Sequence, residues 1–145
     1  MRTSPETDSE RAARLRLAIT RSARRLRQEA NADLSPSLTS ALATIESHGR
    51  VTPSELASCE RVQRPTITRV LARLDELELI DRVADPADGR STLISATPAG
   101  IALLYDLRTR RDAFLASRMS RLSAAERATL DRASELLERL LEDGS

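Results

Sequence analysis

Apolar residues recur along most of this chain at helical spacing, and one short stretch alternates instead. From residue 10 to about residue 30, Leu15, Ile19, Ser22, Ala23 and Leu26 fall near one helical face, and Arg residues take the other faces. Positions 31–34 read as a break. Ser35 then caps a second helix, with Pro36 at the first position, where a missing N–H costs nothing. Leu38, Leu42 and Ile45 carry its apolar stripe, and Gly49 ends it. Thr52, Pro53, Ser54 and Glu55 form a capping box that opens a brief third helix with Leu56 and Ala57 inward. Residues 59–62 make a turn. A fourth helix over 63–77 places Ile67, Val70, Leu71, Leu74 and Leu77 at helical spacing. Two strand patterns, 80–84 and 91–96, flank DPADG, which supplies the Pro, Asp and Gly of a hairpin loop. Thr97 and Pro98 repeat the cap-then-proline signal for a helix to about Met119. Ser123 and Glu126 form another capping box, and the last helix carries Leu130, Leu136, Leu137, Leu140 and Leu141 to near Glu142.

Helix, turn, helix, hairpin is the order of a winged helix-turn-helix. The predicted fold is mainly α with a small β-hairpin wing. Such a module puts its second helix into a DNA major groove and its wing beside it.

Composition narrows the class. The 145 residues suit one domain or one module with helical extensions. With no Trp, one Phe and one Tyr, the core must be aliphatic. No apolar run approaches the roughly 20 residues of a membrane span, no secretory signal is visible, and a single Cys forms no internal disulfide. A cytoplasmic protein without membrane association is the expectation. Net charge is only +1, and all 23 basic residues are Arg. Seven Arg lie between positions 11 and 27 with no acid among them, whereas positions 50–90 hold seven Arg and eight Asp or Glu. Any DNA affinity of that module must therefore come from where individual Arg side chains point.

Periodicity indicates which ones. With Ile67 toward the core and about 100° per residue, Val70, Leu71 and Leu74 cluster beside it. Pro65, Arg69 and Ala72 face away, flanked by Thr66, Thr68 and Arg73. A small, polar, Arg-bearing surface suits a major groove, where Arg reads guanine. Arg64, at the helix start, is placed to reach a phosphate. Asp75, Glu76 and Glu78 crowd the far end, so the N-terminal half is expected to enter the groove. Thr52 and Ser54 offer hydroxyls and a positive helix end to a phosphate. At the hairpin tip, Asp88 is expected to orient the Arg90 guanidinium for insertion into a minor groove.

On these elements, the stretch from residue 34 to residue 100 resembles the MarR family of bacterial transcription regulators. The matching pieces are TPSELA, the RPTITRVLARL helix, the DRVADPADGR wing with its Asp-x-Arg signature, and SATPAG. Two departures stand out: Glu78 occupies a position commonly Gly in the family, and Gly89 one that is often basic. Residues 1–9, polar and with Pro5, are expected to be a flexible arm. The resemblance implies a homodimer, with 10–33 and 98–145 a helical dimerisation region and 34–97 the winged DNA-binding domain. Two-fold symmetry then implies palindromic operators. Apolar stripes on the first and last helices point the same way, and Leu15, Ile19, Leu130, Leu137, Leu140 and Leu141 are the interface candidates. The resemblance also implies a repressor released by a small acidic or aromatic ligand.

No phosphate-binding Gly motif, metal-ligand spacing or catalytic constellation is present, so neither enzyme chemistry nor a cofactor is expected. His48 reads as a helix-terminal residue and Cys59 as a packed or surface thiol. The alternative function is a winged-helix protein-interaction module without DNA binding, for which an acidic recognition face would be the sign.

Overall fold

The computed structural model describes residues 6–29 and 34–142. The first five residues of the expected arm, residues 30–33, which hold most of the break expected at 31–34, and the last three residues of the chain lie outside them. The described chain forms α1 (Asp8–Glu29), α2 (Pro36–His48), α3 (Pro53–Glu60), α4 (Arg64–Glu76), β1 (Ile80–Ala84), β2 (Thr92–Ala96), α5 (Pro98–Met119) and α6 (Ala124–Leu141). The elements are those expected, with small shifts at their ends. One shift has a clear cause. α1 starts at Asp8, inside the expected arm, because Thr7 caps it: the Thr7 N–H donates to Glu10 Oε2 at 2.7 Å and the Glu10 N–H donates to Thr7 Oγ1 at 3.2 Å. The bond from the Thr7 backbone holds the Glu10 carboxyl below its ordinary range. Cys59, expected in the turn, sits in the last turn of α3 and is exposed.

The winged module is built by its caps. The Thr52 N–H donates to Glu55 Oε2 at 2.8 Å, the Glu55 N–H donates to Thr52 Oγ1 at 3.2 Å, and Pro53 follows the cap. α3 and α4 both end in Schellman motifs. At α3, the Val62 N–H reaches the Ala57 carbonyl at 3.1 Å, with Arg61 left-handed at φ 54°. At α4, the Leu79 N–H reaches the Leu74 carbonyl at 3.0 Å, with Glu78 left-handed at φ 58°. Chain reversal at both ends is what brings α3, α4 and the hairpin around one core.

β1 and β2 pair antiparallel from Ile80–Ala96 to Ala84–Thr92, and Val51 adds a single bridge to Ile94. Thr97 then ties α5 to the module. Its hydroxyl donates to the Glu78 carbonyl at 2.8 Å and accepts the Gly100 N–H at 3.1 Å. Gly100 is required here, because a Cβ at that position would run into the Leu79 carbonyl.

The core is wholly aliphatic: Leu42 and Ile45 of α2, Leu56 of α3, Ile67, Leu71 and Leu74 of α4, Ile94 of β2 and Leu104 of α5 meet, and no polar or charged residue among those described is buried with them. α1 packs on α5, yet neither α1 nor α6 buries a single residue. Leu140 is 66% exposed and Leu141 73%. Among the described residues, no helix is long and apolar enough to cross a membrane.

Candidate nucleic-acid interface

α4 turns Ile67, Leu71 and Leu74 into the core and leaves Pro65, Thr68, Arg69, Ala72 and Arg73 on the outside. Thr66 is half-buried, less open than its flanking position on the helix suggests. The Thr68 hydroxyl donates back to the Arg64 carbonyl at 3.0 Å, which leaves its methyl and its oxygen lone pairs facing out. Arg69 makes no hydrogen bond or ion pair among the described residues, so its full fork of donors is available. Arg73 is held by Glu76 one turn on, at 2.9 Å. Both side chains are exposed, and such a pair is worth about 0–1 kcal/mol, so a phosphate or a base edge can displace Glu76.

Two of the three acids at the far end of α4, Asp75 and Glu76, are thus engaged rather than idle. Asp75 accepts from Arg82 Nε of β1 at 2.8 Å. That contact links the recognition helix to the wing, and no motif in the sequence announces it.

The wing base meets the start of α3. Thr52, Ser54, Arg64, Asp88, Arg90 and Ser91 line one cleft of about 300 Å³. The sequence had placed Thr52 and Ser54 as phosphate contacts, Arg64 at the start of the recognition helix, and Asp88 and Arg90 on the wing; the fold brings all five together. Ser91 is an addition, placed there by the turn. The guanidinium of Arg64 donates to Ser54 Oγ. Thr52 Oγ1 accepts the Glu55 N–H, so both hydroxyls act here as acceptors. Each hydroxyl therefore keeps its proton for a phosphate oxygen. The start of α3 adds the positive end of its helix dipole.

The wing tip differs from expectation in one contact. Asp88 does not hold the Arg90 guanidinium; its Oδ1 accepts the Arg90 backbone N–H at 3.1 Å. Asp85 likewise accepts the Ala87 N–H at 2.9 Å. An Asp is well placed to bond the N–H two residues on, because that closes an Asx turn. The two Asp residues fold the tip, and the Arg90 side chain extends from it exposed.

The scaffold side offers a second surface. Leu15 of α1 faces Ala133, Leu136, Leu137 and Leu140 of α6 across an open groove of about 460 Å³. Leu15, Ile19, Leu130, Leu140 and Leu141 are exposed in the single chain, and Leu137 is half-buried. His48 Nδ1 lies 2.8 Å from the Thr44 carbonyl at the end of α2, and its Nε2 lies 3.9 Å from Cys59 Sγ.

The MarR family model matches residues 34–92. An HTH-type transcriptional regulator of Mycobacterium tuberculosis is 37% identical over 139 residues, 95% of this chain and 97% of its own length. A transcriptional regulator from Pseudomonas aeruginosa, known from a crystal structure, superposes with a TM-score of 0.85 at 37% identity, covering 94% of this chain and 98% of that one. A mutant of MarR from E. coli, crystallised in complex with operator DNA, superposes with a TM-score of 0.66 at 25% identity, covering 90% of this chain and 92% of that one.

Proposed function

The chain belongs to the MarR family of HTH-type transcription regulators, and from that premise we propose that it is a cytoplasmic homodimer that binds double-stranded DNA sequence-specifically and represses at palindromic operators. It is a regulator and not an enzyme. Residues 34–97 serve as the DNA-binding module, and residues 10–33 and 98–145 pair two copies.

The cleft that gathers Thr52, Ser54, Arg64, Asp88 and Arg90 carries the proposal. Two hydroxyl donors, a guanidinium and a helix N-terminus converge there, beside the exposed Arg69 surface of α4. That set fits a phosphate next to a base edge: Arg64, Thr52 and Ser54 on the backbone, Thr66, Thr68, Arg69 and Arg73 with Pro65 in the major groove, and Arg90, on the tip folded by Asp88, in the minor groove. The recognition face carries Arg rather than acid, which favours DNA over a protein partner. The open apolar faces of α1 and α6 support the homodimer. Release by a small acidic or aromatic ligand belongs to the same proposal, and the cavities beside the scaffold helices give it room.

Fluorescence anisotropy with the protein's own upstream DNA tests it. Affinity should exceed that for random DNA and fall steeply between about 50 and 200 mM salt. Arg90→Ala should weaken operator binding about tenfold with the dimer intact. Equal affinity for operator and random DNA would remove the sequence-specific assignment, and an unchanged Arg90→Ala would remove the wing from it.

A further inference from the structure

The cleft at the wing base has a neighbour. A groove of about 520 Å³ is lined by His48, Arg50, Ser54, Glu55, Ser58 and Cys59. Ser54 lines the cleft as well, so the two meet at the start of α3. Arg50 stands in the connection between α2 and α3, outside both the recognition helix and the wing. Its backbone is nevertheless fixed on both sides. Gly49 turns the chain at φ 75°, and Val51 exchanges two hydrogen bonds with Ile94 of β2, at 3.0 and 2.8 Å. The Arg50 side chain is exposed and makes no hydrogen bond or ion pair among the described residues.

The two acids of α3 are engaged by other donors. Glu55 Oε2 accepts the Thr52 N–H at 2.8 Å in the capping box. Glu60 is turned to α2, where its two oxygens accept from the hydroxyls of Ser40 at 2.7 Å and Thr44 at 2.6 Å. The Arg50 guanidinium therefore keeps its full fork of donors. The Ser58 hydroxyl is exposed too and makes no hydrogen bond among the described residues. Ser54 and Ser58 stand one helical turn apart, which puts their Cβ atoms about 5–6 Å from each other on one face of α3. That spacing is comparable with the step between successive phosphates of a DNA strand. His48 and Cys59, with Nε2 and Sγ 3.9 Å apart, belong to the same groove.

We infer that Arg50 and the Ser58 hydroxyl hold a second phosphate of the DNA backbone, next along the strand from the one at Thr52, Ser54 and Arg64. This contact rests on the DNA-binding proposal above and extends its footprint across α3 to the end of α2. A guanidinium fork suits the two free oxygens of a phosphate, and a hydroxyl can share one of them. Such a contact positions the protein without reading sequence. Arg50 thus adds affinity on any duplex, whereas Arg69 adds preference for a base.

Arg50→Gln tests the contact through salt dependence. Anisotropy with operator and with random duplex, from about 50 to 200 mM salt, should show binding to both weakened about fivefold and a log–log salt slope shallower by about one. The side chain is exposed, so the thermal melt should not move. A slope equal to the parent's would overturn the contact. A loss confined to operator would overturn it too, since Arg50 would then read a base. Cys59 gives an independent readout, as the one Cys of the chain, exposed in the same groove. Saturating duplex should slow its alkylation by N-ethylmaleimide roughly tenfold. An unchanged alkylation rate at saturation would show that DNA leaves the groove open, and would overturn the contact as well. Failure of the DNA-binding proposal looks different. A parent protein that binds neither duplex overturns DNA binding and this contact together. A parent that binds both duplexes equally loses only its sequence specificity, and the Arg50 slope change should still be seen.

Discussion

Glu78 shows what a single residue costs this fold. It is held at φ 58° at the Schellman turn that ends α4, where its N–H donates to the Asp75 carbonyl at 2.9 Å and its own carbonyl accepts from Thr97. A side chain there meets the left-handed penalty of about 1–2 kcal/mol, part of which Gly would return through its freer unfolded chain. Glu78→Gly should therefore raise stability by about 0.5–1 kcal/mol in urea denaturation, because the bonds position 78 makes in the turn use its backbone N–H and carbonyl and survive. A loss of stability would mean that the Glu side chain makes a favourable interaction that outweighs its strain. The departure itself was legible in the sequence as a missing Gly. Arg61, in the same conformation at the end of α3, was not, because nothing about an Arg signals a left-handed turn. Asp88 was legible as a wing residue but not in its partner, since the guanidinium and the backbone N–H of Arg90 both lie two residues on.

At the level of elements, caps wrote most of the fold into the sequence. Ser35, Thr52, Thr97 and Ser123 each accept the backbone N–H three residues on, and each helix starts where its cap says. Thr7 and Glu10 obey the same rule, but they stand in a polar stretch without apolar periodicity, which made the start of α1 look like an arm. What the sequence does not carry is the contact between elements that are separate in sequence. The Arg82–Asp75 pair is of this kind, and it joins β1 of the wing to the end of α4. The pair is exposed enough that its loss should change stability by less than about 1 kcal/mol. Asp75→Asn nevertheless should weaken operator binding several-fold, as the wing loses its tie to the recognition helix. The direction is informative, because deleting an acid near phosphate would by itself strengthen binding. Tighter operator binding by Asp75→Asn would show that the pairing of β1 with β2 and the Val51 bridge hold the wing unaided.

For the whole molecule, the decisive observation is that α1 and α6 form apolar faces without burying a residue in the single chain. The stripes were visible as periodicity in the sequence. Their partner was not, since an apolar stripe has the same spacing whether it packs within one chain or between two. The fold narrows that choice: the core of the winged module is complete without α6, and the groove between Leu15 and Leu140 stays open. A lasting dimer needs roughly 800 Å² from each copy, and two long helices with exposed Leu136, Leu140 and Leu141 are where that area lies. Leu140→Glu places a charge in this face at a side chain 66% exposed in the single chain, so the module should keep its fold by circular dichroism. Light scattering should then report a monomer at concentrations where the parent chain is dimeric. Operator affinity should drop by more than tenfold, because two half-sites tied together hold far more strongly than one. If Leu140→Glu remains dimeric, the copies meet through another surface, and the spacing of the recognition helices must be set there instead.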